Sequence, residues 1–200
     1  MNRKENIISI AKDSFNFTID AKPPSPLFLM RYVEWLTPYY SFLYLVSREF
    51  KPKVTVEIGT SWGFGVTHLA LGSPEGMVYT IDSSLEFANI FTSSTYYHEL
   101  NNVKVILGDS SEVVSRFENN SVDLLFIDGD HTYVGAKEDY GNYFPKVREG
   151  GIILIDDIDF TDDMRRFWEE IKEDKFDVNY IRPVYPLRPE QGVGFGVVLK

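Results

Sequence analysis

Val54-Thr55-Val56-Glu57-Ile58-Gly59-Thr60-Ser61-Trp62-Gly63-Phe64-Gly65 is the stretch on which the rest of the chain hangs. It opens as a short apolar run with β-branched side chains, which reads as a buried strand ending at Glu57. Gly59 and Gly63 follow, and Val66-Thr67-His68-Leu69-Ala70-Leu71 reads as helix. Strand, glycine-bearing turn and helix together bring backbone N–H groups close to a ligand. Glycine suits such a turn because a Cβ would block close approach or a positive φ. Glu57 then stands at the carboxyl end of its strand, the edge at which open α/β sheets bind ligands. On this stretch alone, an ordinary βα turn is an equally open reading.

Working outward, the chain alternates strands and helices. Met77–Asp82, Val103–Leu107, Val122–Asp128 and Ile152–Asp157 read as strands. Leu85–Leu100, Ser111–Phe117, Thr132–Arg148 and Thr161–Glu173 read as helices, with Gly150-Gly151 closing the third. Phe176–Ile181 and Gly194–Leu199 are two closing strands with no helix between them, so they predict an antiparallel hairpin at one edge. The fold class is α/β: a Rossmann-like, seven-stranded, mostly parallel sheet with helices on both faces. Residues 51–200 form this domain and residues 1–50 an N-terminal helical extension. In that extension, Pro23-Pro24-Ser25-Pro26 is a stiff break, and Pro38 is expected to end the first piece of a helix over Leu27–Phe50. Its many aromatic residues, Tyr39 and Phe42 among them, are read as core packing. A lid over a substrate pocket and a homodimer face are the functional alternatives.

Two hundred residues suit a single domain with a sizeable core. The net charge of −10 argues against nucleic acid or an anionic membrane surface as partner, since both require a basic face. With no cysteine there is neither a disulfide framework nor a thiolate metal site. The N-terminal residues lack the continuous apolar core of a signal peptide, and no apolar run is long enough to span a bilayer. A soluble cytoplasmic protein is the expectation.

Glu57, Asp82, Asp109, Asp128 and Asp156-Asp157 all fall at strand ends, and parallel strands deliver them to one edge of the sheet. Each alone reads as a helix N-cap. Together they would raise one another's pKa values unless a cation is bound, so a cationic ligand, a metal ion or both are implied. Asp82 lies 23 residues beyond Gly59, a spacing that suits a carboxylate accepting ribose hydroxyls. His131, set among acids with a near-neutral ordinary pKa, is the candidate proton acceptor; its structural reading is a helix-start histidine held by Asp128 or Asp130.

The pattern Glu57-x-Gly59-x-Ser61-x-Gly63 resembles motif I of the class I S-adenosylmethionine-dependent methyltransferases, whose seventh strand is also antiparallel. The resemblance covers residues 54–200. It implies that Glu57 and Gly59 flank the methionine part of the cofactor, with Thr60, Ser61 and Gly63 of the same motif also binding it. It places Asp82 at the ribose and Asp109 near the adenine amino group, with Ser83, Ser110 and Asp128 as further cofactor-binding residues. Phe126-Ile127-Asp128-Gly129-Asp130-His131 resembles the Asp-Gly-Asp-His pattern of a bacterial family related to macrocin O-methyltransferase and cephalosporin-hydroxylase-like proteins. In the metal-dependent catechol and caffeoyl-CoA types the matching residues hold a divalent cation, which implies Asp128, Asp156 and Asp157 as ligands of Mg²⁺ or Ca²⁺. The chain departs twice: Asp157 replaces an Asn, and His131 replaces a catalytic Lys. The resemblance thus implies methylation of a small hydroxylated acceptor. The glycine spacing fits a nicotinamide site poorly, but an NAD-linked oxidoreductase and a non-catalytic cofactor-binding module are the rival readings. The acceptor would be chosen by residues 1–50 and Tyr185–Gln191.

Overall fold

The computed structural model describes residues 2–17, 29–178 and 194–200; side chains are described for these except residues 29–37, 95 and 96. The Pro23–Pro26 break, the Tyr185–Gln191 segment and the loop between the closing strands lie outside the described residues.

Seven strands form one sheet: β1 Val54–Ile58, β2 Met77–Asp82, β3 Val103–Leu107, β4 Val122–Ile127, β5 Val147–Asp156, β6 Asp174–Asp177 and β7 Phe195–Leu199. Their spatial order is β3-β2-β1-β4-β5-β7-β6. β1 to β5 run parallel, and β7 is antiparallel to both β5 and β6. This is the Rossmann-like sheet with a closing antiparallel hairpin that the strand pattern predicts. The order reverses between β1 and β4, and a crevice at such a switch point is where open α/β sheets hold ligands.

Alternation along the central strands supplies two apolar faces. Leu124 and Phe126 of β4 and Ile152 and Leu154 of β5 pack with α1 (Arg3–Asp13), α2 (Leu29–Phe50) and α3 (Phe64–Gly72). Leu125, Ile127, Ile153 and Ile155 face the other side. There they meet α6 (Ser110–Val113), α7 (Tyr133–Tyr143) and α8 (Asp162–Glu170). α4 (Leu85–Thr92) and α5 (Thr95–Glu99) follow β2.

Three element boundaries differ from the sequence reading. Gly150-Gly151 does not close a helix: α7 stops at Tyr143, a 3₁₀ turn carries Pro145, and both glycines lie inside the ten-residue β5. There they form a bulge between the Val122–Val147 and Leu124–Ile152 pairs, with Gly150 at φ 72°. A Cβ on Gly151 would lie 2.4 Å from Val147 Cγ1, which is why the chain can turn so tightly there. Pro38 does not end a helix either, since α2 runs through it. Tyr39, Phe42, Leu43, Leu45 and Val46 are all buried, and this packing outweighs the lost backbone bond. The helix expected over Leu85–Leu100 is two, because Ser94 donates back to the Phe91 carbonyl and its Oγ accepts from the Tyr97 N–H.

Candidate active site

A cavity of about 600 Å³ opens at the carboxyl ends of the parallel strands. The turn after β1 forms its floor. Gly59 has φ 97° and donates its N–H to the Ile81 carbonyl at 2.8 Å. A Cβ there would lie 1.9 Å from the Asp128 carbonyl oxygen, so only glycine lets this turn pass against the end of β4. Ser61, at φ 46°, directs its N–H to Asp82 Oδ2 at 2.8 Å. Asp82 Oδ1 accepts the Ser84 N–H at 2.8 Å. Each Asp82 oxygen thus uses one lone pair on the backbone and keeps another for a hydroxyl donor.

Of the residues singled out in the sequence, Gly59, Ser61, Asp82, Ser83, Asp109, Ser110, Asp128 and His131 line the cavity. Glu57, Thr60 and Gly63 lie beneath the wall. Glu57 is fully buried one residue before the end of β1. Its Oε2 accepts from Thr80 Oγ1 at 2.5 Å, and Thr80 in turn meets Thr60 Oγ1 at 2.7 Å. Burial pushes the Glu57 carboxyl well above its ordinary range, although the Thr80 bond opposes this. These residues brace the turn from below. Gly63 leaves no room for a Cβ beside the Phe91 ring.

Asp109 caps α6, accepting from the Ser111 N–H at 2.9 Å and from its hydroxyl at 2.6 Å, and these bonds hold its pKa below the ordinary value. The sequence reading missed Asp139, which reaches the same wall from α7 and accepts a hydrogen bond from Ser110 Oγ. Burial lifts its carboxyl to about 6, despite the Ser110 bond. The available signal was a carboxylate on the buried stripe Ala136–Asp139–Tyr143, at helical spacing.

Asp156 and Asp157 do not line the cavity but lie against Asp128 and His131, which do. Asp128 and Asp156 lie within hydrogen-bonding reach of each other. His131 Nδ1 meets Asp157 Oδ2 at 3.1 Å, and its Nε2 lies 3.5 Å from Asp128 Oδ1. Asp157 holds a left-handed backbone, φ 56°, as it makes that contact. Burial raises Asp128 to about 7, with the Asp157 charge adding to it, and raises Asp157 to about 8, with Asp156 adding. Asp156 is pushed well above its ordinary range by burial and then by Asp128. One atom each from Asp128, His131 and Asp156 lies within 4.8 Å of the others, a spacing at which three donors can share an ion. The convergent trio therefore differs from the Asp128, Asp156, Asp157 set read from the sequence, because Asp157 turns to the histidine. His131 Nε2 and Asp156 Oδ1 are buried with no hydrogen-bond partner among the described residues. Such orphaned atoms fit a bound cation or ligand.

Fold and site together define a class I cofactor-binding sheet with its cavity over the switch point. A sequence profile described as Methyltransferase domain matches residues 56–158, just over half of the chain, and the chain belongs to that family. The O-methyltransferase TomG of Streptomyces achromogenes, solved in complex with SAM, superposes with a TM-score of 0.71 at 19% identity, covering 100% of this chain and 99% of that one. A Bacillus cereus O-methyltransferase in complex with SAH gives a TM-score of 0.65 at 22% identity, covering 98% and 90%. At these identities the likeness is one of fold. A probable caffeoyl-CoA O-methyltransferase of Dictyostelium discoideum is 30% identical over 125 residues, 59% of this chain and 53% of that protein. The chain spans from about a sixth to about half the length of the curated relatives it matches. Among the described residues, no helix is long and apolar enough to cross a membrane.

Proposed function

We propose that this chain is an S-adenosylmethionine-dependent methyltransferase that methylates a hydroxyl oxygen of a small molecule. The observation that carries the reading is the convergence of the Gly59 turn, Asp82, Asp109, Asp128 and His131 on one cavity. The residues present fit the cofactor. The Gly59 turn, which only a glycine lets pass against the end of β4, lines the cavity, and Asp82 keeps free lone pairs toward it for the ribose hydroxyls. Ser83 would stand beside that ribose, and Asp109, Ser110 and Asp139 would surround the adenine. When bound, the cofactor supplies a methyl group already activated on a sulfonium, so the protein's work is alignment and proton removal.

His131 takes the proton. Asp157, once ionised, accepts the Nδ1–H and so holds the tautomer that leaves Nε2 as acceptor. Asp128 and Asp156 would anchor a divalent cation such as Mg²⁺, which would lower the pKa of the acceptor hydroxyl. Nε2 cannot ligate the ion and accept the proton at once, so His131 serves as base and the two carboxylates as anchors. The raised pKa values of Asp128 and Asp156 fit this assignment, because a cation relieves the repulsion that burial intensifies. The class of acceptor is a small hydroxylated molecule, in line with the O-methyltransferases that share the fold.

The test is isothermal calorimetry with S-adenosylmethionine and with NAD, followed by labelled-methyl transfer to a panel of phenols and alcohols with and without EDTA. Binding of S-adenosylmethionine alone and transfer to an oxygen are expected. Binding of NAD in its place would return the oxidoreductase reading, and binding without transfer to any acceptor would return the non-catalytic module.

A further inference from the structure

The carboxylate end of the cavity has a neighbour from outside the strand-end motifs. Tyr39 of α2 is 6% exposed, and its hydroxyl is buried with no hydrogen-bond partner among the described residues. The sheet register explains where that hydroxyl goes. β5 and β7 pair Asp156 with Phe195, and directly opposed residues of an antiparallel pair share a face. The Tyr39 ring packs edge-on against Phe195 at 5.1 Å and 67°, and against Tyr40 at 5.1 Å and 83°. Held this way, the phenol lies within hydrogen-bonding reach of Asp156 and close enough to feel the charges of Asp128 and Asp157. Asp156 Oδ1 is itself buried and unpartnered. A donor and an acceptor therefore lie within hydrogen-bonding reach of each other, with no fully formed bond at Tyr39 Oη or Asp156 Oδ1 among the described residues.

Packing alone does not account for the hydroxyl. Phe42 makes an edge contact with the same Phe195 ring at 5.2 Å and 80° without one. We propose that Tyr39 is a positioning residue for the cation site, its O–H donating to Asp156 and holding that carboxylate aimed at an ion shared with Asp128. The proposal rests on the cation reading above. An ionised carboxylate is a stronger acceptor than a neutral one, and partners behind a ligating carboxylate set its orientation and its affinity for metal. α2 would thereby couple the N-terminal segment to the chemistry at the strand ends.

Tyr39→Phe keeps the ring and removes only the oxygen. Two measurements decide the matter: thermal unfolding in EDTA, and Mn²⁺ binding followed by electron paramagnetic resonance on wild type, Tyr39→Phe, Asp128→Asn and Asp156→Asn. The expected result is an unchanged or higher metal-free Tm for Tyr39→Phe, since the lost hydroxyl makes no fully formed hydrogen bond among the described residues, with Mn²⁺ affinity about tenfold weaker. Loss of binding in both Asp→Asn variants accompanies it. Equal Mn²⁺ affinity in wild type and Tyr39→Phe overturns the role of Tyr39 and leaves the cation site standing. A metal-free Tm several degrees lower overturns it too, by showing that the hydroxyl serves the fold. Failure of wild type to bind Mn²⁺ at all removes the cation reading and this proposal together.

Discussion

Asp82 shows how one carboxylate serves both fold and site. Its two oxygens take the N–H groups of Ser61 and Ser84, so it ties the turn after β1 to the start of α4 while facing the cavity. Asp82→Asn offers one oxygen and one NH₂ in place of two oxygens, leaving one backbone N–H facing a donor. The expected cost is about 1.5–3 kcal/mol of stability, the range for a hydrogen bond to a charged group. S-adenosylmethionine affinity is expected to fall as well. Urea unfolding of the ligand-free variant and calorimetry with the cofactor check the two effects separately, and an undiminished affinity would remove the ribose assignment.

Asp139 makes the opposite kind of prediction. Its carboxyl is lifted to about 6 in the folded chain, above its ordinary 3.8, so the folded state keeps a proton that the unfolded chain releases. Stability from this group is complete at low pH and is lost as pH rises through that interval. Asp139→Asn carries no such proton. In ligand-free protein the variant is expected to gain on wild type between pH 4.5 and 7, by about 2 kcal/mol. Urea midpoints at the two pH values measure the gain, and a constant difference would mean that Asp139 does not titrate in that range.

Among the elements, Asp123 on β4 acts at the edge of the sheet opposite the cavity. Its Oδ2 accepts from the N–H groups of Lys53 and Val54, at 2.9 and 2.8 Å, and its Oδ1 takes Arg148 Nε at 2.5 Å. Burial would raise its pKa, but the Arg148 bond and the two backbone donors hold it below the ordinary value. Three strands are joined there by one side chain. Asp123→Ala is expected to cost about 3 kcal/mol in urea unfolding while leaving S-adenosylmethionine affinity unchanged. Impaired binding would show that the two edges of the sheet are coupled. The strands themselves were legible because apolar alternation depends only on nearest neighbours in sequence. The ends of the helices were not. Gly150-Gly151 reads locally as a stop but serves a bulge defined by its pairing with β4. Pro38 reads as a break but sits in a helix held by tertiary packing.

For the molecule as a whole, the strand-end acids were visible because a parallel sheet turns positions in sequence into one row in space. Asp82, Asp109 and Asp128 reach the cavity by that rule alone. Tyr39 and Asp139 were not visible, since each reaches the site from a helix whose seat depends on the assembled sheet. The turning of Asp157 to His131 was hidden for a similar reason: it depends on a left-handed backbone that an Asp-Asp pair does not announce.

β7 lies between β5 and β6 although it comes after both in the chain. A ribosome working from the N-terminus therefore releases β5 with its outer edge bare, and that edge stays bare until Phe195–Leu199 emerges. At about 5–20 residues per second the interval is a few seconds. Phe195, which seats Tyr39 and stacks on Phe126, arrives with the same strand. For that interval a nascent chain carries an unsealed sheet edge and an unseated Tyr39, and the five residues of β7 close both.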